Sequence, residues 1–145
     1  MADQASMDAL TLAQRCAEAM WASDNASRAL GMELMDVRPG RAAVSMTVTD
    51  RMVNGHGLCH GGYIFTLADS AFAFACNTYN QRTVAHHCSV TFIRPSRLGD
   101  RLLATAVERT RTDRNGIYDI TVAAGDGSTV AEFRGHSRTI DGTLL

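Results

Sequence analysis

Lysine is missing: all fourteen basic residues of the 145-residue chain are arginine. Without lysine there is no Schiff-base amine for ordinary pyridoxal-phosphate chemistry and no P-loop lysine to cradle a nucleotide. No apolar run approaches the ~20 residues that a membrane-spanning helix needs, so no membrane partner is expected. The opening MADQASMDAL lacks a basic start followed by an apolar stretch, so no secretory signal is read and a cytoplasmic protein is expected. In that setting the four cysteines (Cys16, Cys59, Cys76 and Cys88) read as reduced thiols, Cys76 fitting an apolar helix face. A net charge of −1, with no basic stripe interleaved with aromatics, gives no pull towards nucleic acid. No Gly-x-Ser-x-Gly elbow occurs, and the chain is too short for an ordinary α/β-hydrolase. What remains is ordinary: 46% hydrophobic and 20% charged residues, in a length that suits a single domain over 1–145 with a real core.

Along the chain, residues 4–22 place Leu10, Ala13, Ala17, Met20 and Trp21 at roughly helical spacing. Ser23 is the expected N-cap of a short second helix ending at Gly31, where glycine suits a left-handed cap; the two form a helical segment over about residues 4–30. Pro39-Gly40 turns between two strands, the second alternating Val44, Met46 and Val48 against Ser45, Thr47 and Thr49. The stretch Tyr63–Asn77, YIFTLADSAFAFACN, is apolar on nearly every side, so it reads as a helix buried almost all round. In so short a chain only a sheet curled around it, helped by a second subunit, can cover it. Further strands follow over Thr83–Ile93, Arg101–Arg111, Ile117–Ala124 and Thr129–Ile140, with Asn115-Gly116 the expected hairpin turn. The fold class is α+β: one long central helix against an antiparallel meander.

Two features carry chemistry. Asp69 stands alone in the buried helix, and an unpaired buried carboxylate is paired, solvated in a cleft, or kept for function. The structural alternative is a narrow wet strip shared with Thr66 and Ser70. The second feature is the loop from Asn54 to Gly62, whose glycines open the helix and leave free N–H donors where negative charge could develop. His60 and Asn54 could orient a substrate carbonyl or water, or equally just hold the loop. A donor site plus a carboxylate suits hydrolysis of an activated acyl group. Gly61 and Asp69 are eight residues apart, however, about 12 Å along a helix axis, too far to act on one carbonyl. They can converge only across a symmetric dimer. Cys59 beside His60 could instead be an acylated thiol. His56, Cys59, His60, His86, His87 and Cys88 offer possible metal ligands, but their spacing matches no closed zinc pattern. Arg94 and Arg97 end a strand at Pro95, and Arg134 lies near Gly135; each could meet phosphates or simply face solvent.

NGHGLCHGGYIFTLADSAFAFACN, followed by TFIRPSRLGD and AEFRGHS, resembles the PaaI-type thioesterases of phenylacetate degradation over about Leu30–Ile140. The resemblance implies a hotdog fold and hydrolysis of an aryl-acetyl-CoA thioester, phenylacetyl-CoA or a ring-hydroxylated relative, to acid and free CoA. It implies that the backbone N–H at Gly61 polarises the carbonyl and that a partner-subunit Asp69 acts as nucleophile or general base. Asn54 and His60 would orient water or substrate. Beside these implied roles, Gly62 at the helix start and the arginines Arg94, Arg97 and Arg134 stand as the candidate substrate-binding residues read from the sequence itself. The resemblance further implies homodimers, often paired into tetramers, and no metal or organic cofactor. A non-catalytic acyl-CoA-binding module and a hydratase or dehydratase of the same fold are the rival readings.

Overall fold

The apolar stretch in the middle of the chain forms the helix that its length requires. In the computed structural model, which describes residues 7–145, helix α3 spans Gly61–Cys76 and buries Ile64, Leu67, Phe72 and Phe74 among others. Each such side chain contributes about 1.5–3 kcal/mol when removed from water. Asn77 ends the helix: its Nδ2 donates to the Ala73 and Thr83 carbonyls at 2.9 Å, and its Oδ1 accepts from Thr83 N–H at 2.9 Å. The cap therefore ties the end of α3 to the start of the next strand.

Among the described residues six strands wrap this helix: β1 (Glu33–Arg38), β2 (Arg41–Thr47), β3 (Thr83–Phe92), β4 (Arg101–Thr112), β5 (Asn115–Ala123) and β6 (Thr129–Thr139). All pairs are antiparallel and the order is β1-β2-β4-β5-β6-β3. The expected meander holds for β4-β5-β6 only. β3 crosses to the far edge and pairs with β6, while β2 pairs with β4. One buried rung, Val44–Ala104–Val122–Ala131, runs across four strands, its alanines leaving room for α3 above. This is the hotdog arrangement, a central helix in a curved antiparallel sheet.

Three local expectations shift. The N-cap of the second helix, α2 (Asn25–Ala29), is Asp24 rather than Ser23, because the Asp24 carboxylate accepts from Ser27 N–H at 2.9 Å. Gly31 takes the left-handed conformation foreseen for it, φ 71°. Asn115-Gly116 already belong to β5; the tight turn is Asp113-Arg114, with Asp113 at φ 47° and Thr112 opposite Asn115. Ser45, expected on the wet face of its strand, is buried and accepts from Arg101 Nη2 at 3.1 Å. Helix α1 runs Ala9–Ser23 from an Asp8 cap; the expected start at residue 4 lies outside the described residues.

Glu108 on β4 accepts from Tyr79 Oη and from Tyr118 Oη, both at 2.9 Å, and Tyr118 is only 1% exposed. Burial first, and then the facing carboxylate, push the Tyr118 phenol far up, so it remains a donor. Glu108→Leu should cost about 1–3 kcal/mol by stranding that hydroxyl. Adding Tyr118→Phe should return most of the loss. Thermal unfolding of the two variants measures this, and an unchanged midpoint in Glu108→Leu would refute the network's role.

Candidate active site

The loop before α3 is folded by its own polar groups. Asn54 Oδ1 accepts from the N–H groups of His56 (2.9 Å) and Leu58 (3.2 Å), so part of the Asn54 side chain is spent holding the loop. Its Nδ2 has no acceptor among the described residues. His60 caps the helix: its Nδ1 accepts from Gly62 N–H at 2.9 Å, which places the ring proton at Nε2, on an exposed side chain. The His60 carbonyl accepts from Tyr63 N–H at 3.0 Å. The first helical donors are thus used at Gly62 and Tyr63, and Gly61 N–H is left with no acceptor among the described residues. A free donor at a helix start carries the positive end of the dipole.

Gly61 opens onto a cleft of about 430 Å³ lined also by Asn54, Leu58, Ile64, Phe92, Ile93 and Arg94. Arg94 and Pro95 also line a more polar neighbouring cavity of about 440 Å³ that includes Arg101 and Ser128. The Arg94 side chain makes no ion pair among the described residues. Cys59 lines the same cleft, yet burial, then the nearby Asp100, hold its thiol above the ordinary value, the wrong direction for a nucleophile. All four cysteines are free thiols. Among the described residues no three His, Cys, Asp or Glu groups are placed to hold a metal ion. No helix there is long and apolar enough to cross a membrane.

Asp69 lies elsewhere on the helix. It sits on the half-open face of α3 with Gly62, Thr66, Ser70 and Ala73, the strip that the sequence offered as an alternative. Ser70 is bonded across to Ser27 of α2 at 2.8 Å and Thr66 turns back to the Gly62 carbonyl at 2.8 Å. Asp69 itself has neither a hydrogen bond nor an ion pair among the described residues, and burial raises its carboxyl above the ordinary value of 3.8. In one protomer it stays about 12 Å along the axis from Gly61.

The fold therefore gathers Asn54, Gly61 and Arg94 at one cleft, keeps Gly62 and His60 at its helix cap, and leaves Asp69 apart. Arg97 lies on the adjoining loop opposite Leu58, its own N–H donating to Asp100 at 2.8 Å. Arg134 is on the outer face of β6, where Nε and Nη2 hold Asp119 at 2.7 and 2.9 Å, away from the cleft. Phe92 and Ile93 are cleft residues that the sequence did not single out. Their signal was slight: an apolar strand end just before Arg94-Pro95.

The thioesterase superfamily profile matches residues 56–131. The chain is 46% identical over 128 residues to the acyl-coenzyme A thioesterase PaaI of Escherichia coli K12, covering 88% of this chain and 91% of that protein. The structure of the E. coli PaaI protein, from the phenylacetic acid degradation operon, superposes with a TM-score of 0.92 at 44% identity, covering 94% of this chain and 99% of the other. A single-substitution variant of the phenylacetic acid degradation protein PaaI from Thermus thermophilus gives a TM-score of 0.78 at 37% identity, covering 81% and 100%. A capped helix start with a free N–H over an apolar cleft, and a lone carboxylate further along, thus sit in a chain that belongs to the thioesterase superfamily and, within it, to the PaaI-type acyl-CoA thioesterases.

Proposed function

We propose that the chain hydrolyses aryl-acetyl-CoA thioesters, phenylacetyl-CoA or a ring-hydroxylated relative, to the free acid and CoA, at sites shared between two protomers. The observation that carries this reading is the Gly61 N–H, unpartnered among the described residues and facing an apolar cleft. A thioester carbonyl oxygen placed there gains a donor that strengthens as negative charge develops, worth roughly 3–4 kcal/mol in acyl transfer. The acyl class is supported by the relatives, one of which comes from a phenylacetic acid degradation operon.

The carboxylate comes from the second protomer. Among the described residues β3 is a ten-residue edge strand with one ladder, and such an edge invites pairing with its own copy. Antiparallel β3–β3 pairing would continue the sheet and carry the partner's half-open α3 face, with its Asp69, towards the Gly61 cleft. Asp69 then acts in one of two ways. As nucleophile its carboxylate bonds to the carbonyl carbon, CoA thiolate leaves, and water cleaves the mixed anhydride. As general base it takes the proton of a water that attacks the carbonyl carbon directly, and the C–S bond then breaks, the departing CoA thiolate taking up that proton. Asn54 Nδ2 and His60 Nε2–H are the donors available to hold that water or the carbonyl. Arg94, free between the apolar and polar cavities, is placed to meet the CoA phosphates, with Arg97 on the neighbouring loop. Dimers paired into tetramers are the expected assembly, and no metal or organic cofactor enters the scheme.

Free-thiol release from phenylacetyl-, hydroxyphenylacetyl-, benzoyl- and straight-chain CoA thioesters tests the reading, with light scattering to give the assembly. Fast release from the arylacetyl members by a dimer or tetramer is expected. Release confined to straight chains would overturn the substrate class, and full turnover by a monomer would overturn the shared site.

A further inference from the structure

The ring of Phe92 rests on the backbone that carries the free Gly61 N–H. A Cβ built on Gly61 would come within 2.8 Å of Phe92 Cζ and 3.2 and 3.3 Å of the two Cε atoms. Phe92 is the last residue of β3, held in register opposite Ala131 of β6, so its backbone is fixed by the sheet. Yet within one protomer the residue is 51% exposed. Part of the ring packs on glycine, and the rest faces the cleft shared with Leu58, Ile64 and Ile93. Large aromatic side chains bring most of their energy through burial, and an open ring at the rim of a donor site has that contribution still to make.

We infer that Phe92 sets the acyl selectivity of the site, its open ring surface receiving the aryl group of the substrate while the thioester carbonyl sits on Gly61 N–H. The inference rests on the function proposed above. In an arylacetyl thioester one methylene separates ring from carbonyl, so the ring can swing out of the carbonyl plane and meet Phe92 edge-to-face or offset, the arrangements aromatic pairs prefer. A benzoyl ring, conjugated with its carbonyl, is held in the carbonyl plane and lacks that freedom. A straight chain fills the cleft without a ring for Phe92 to recognise. Phe92 is thus a specificity residue, acting on where the acyl group lies and not on the proton or the oxyanion.

Steady-state thiol release from phenylacetyl-, benzoyl- and hexanoyl-CoA, with wild type and Phe92→Leu, tests this. Leucine keeps the site apolar but removes the aromatic face. The expected result is a fall of about tenfold in kcat/KM for phenylacetyl-CoA, mostly through KM, with hexanoyl-CoA changed by less than about twofold. Parallel losses on both substrates would mean that the ring merely props the helix start, and would overturn the inference. A phenylacetyl preference that survives in Phe92→Leu overturns the Phe92 assignment alone. A wild type with no preference for phenylacetyl- over hexanoyl-CoA overturns the assignment and the arylacetyl reading together. If Phe92→Leu fails to fold, Phe92→Met gives the same ratio with a flexible apolar side chain.

Discussion

Asp69→Asn is expected to fold as the parent does and to lose about a thousandfold or more in thiol release. The amide has nearly the same shape, but it can neither attack a carbonyl nor take a proton from water. Asp69 makes no hydrogen bond or ion pair among the described residues, so no contact is broken by the change. Stability should even improve at neutral pH. Burial lifts the Asp69 carboxyl above 3.8, so the folded chain binds that proton more tightly than the unfolded one. Stability therefore falls as pH rises from 3.8 through the raised value, and above it the carboxylate is a standing penalty that asparagine does not share. The activity of the parent should rise with pH on an acid limb displaced above 3.8, since the working form in the proposed mechanism is the carboxylate. Thermal unfolding, CoA binding and a pH–rate profile read these effects. Turnover by the Asn variant at the parental rate would remove Asp69 from the chemistry.

The second large effect appears on mixing subunits. Asp69→Asn and Gly61→Val should each be nearly silent alone, the latter because a side chain at position 61 drives into Phe92. Under the shared-site proposal, each heterodimer made from the two variants holds one site with Gly61 and Asp69 both intact. With random assortment half the dimers are mixed, so about a quarter of the parental activity should return. Tagged subunits let heterodimers be purified and counted. If verified heterodimers stay silent, Asp69 and Gly61 do not serve a common site across two protomers, and the β3 edge loses its assigned role.

Much of the fold was open to view in the residues. The run from Tyr63 to Cys76 is too apolar to be anything but central, and the Asn54–Gly62 loop declares itself through its glycines and the helix that follows. The strands too were legible, because alternation is a local property. Their pairing was not: nothing in Thr83–Phe92 states that its neighbour is Thr129–Thr139, since register is settled by tertiary packing. Arg134 illustrates the same limit. Its bidentate hold on Asp119 exists because β5–β6 register sets the two opposite each other, which no spacing along the chain reveals. Phe92 is hidden for a different reason. An aromatic residue in a strand is ordinary until the helix start it lies against is known. The hairpin falls at Asp113-Arg114, ahead of the Asn-Gly pair, because that strong turn signal here serves the strand instead.

The placement of β6 between β5 and β3 also bears on synthesis. As the chain leaves the ribosome, α3 emerges long before Thr129–Thr139, the strand that closes two ladders at once and supplies Phe133 beneath Phe65 and Phe72. Until then a nearly uncharged apolar helix and an unpaired β3 are both open to water and to neighbouring nascent chains. Long-range pairing of this kind folds slowly and is exposed to aggregation meanwhile. Yield in expression should thus depend on how quickly the stretch that encodes β4–β6 is translated, and on holdase chaperones at hand while it is.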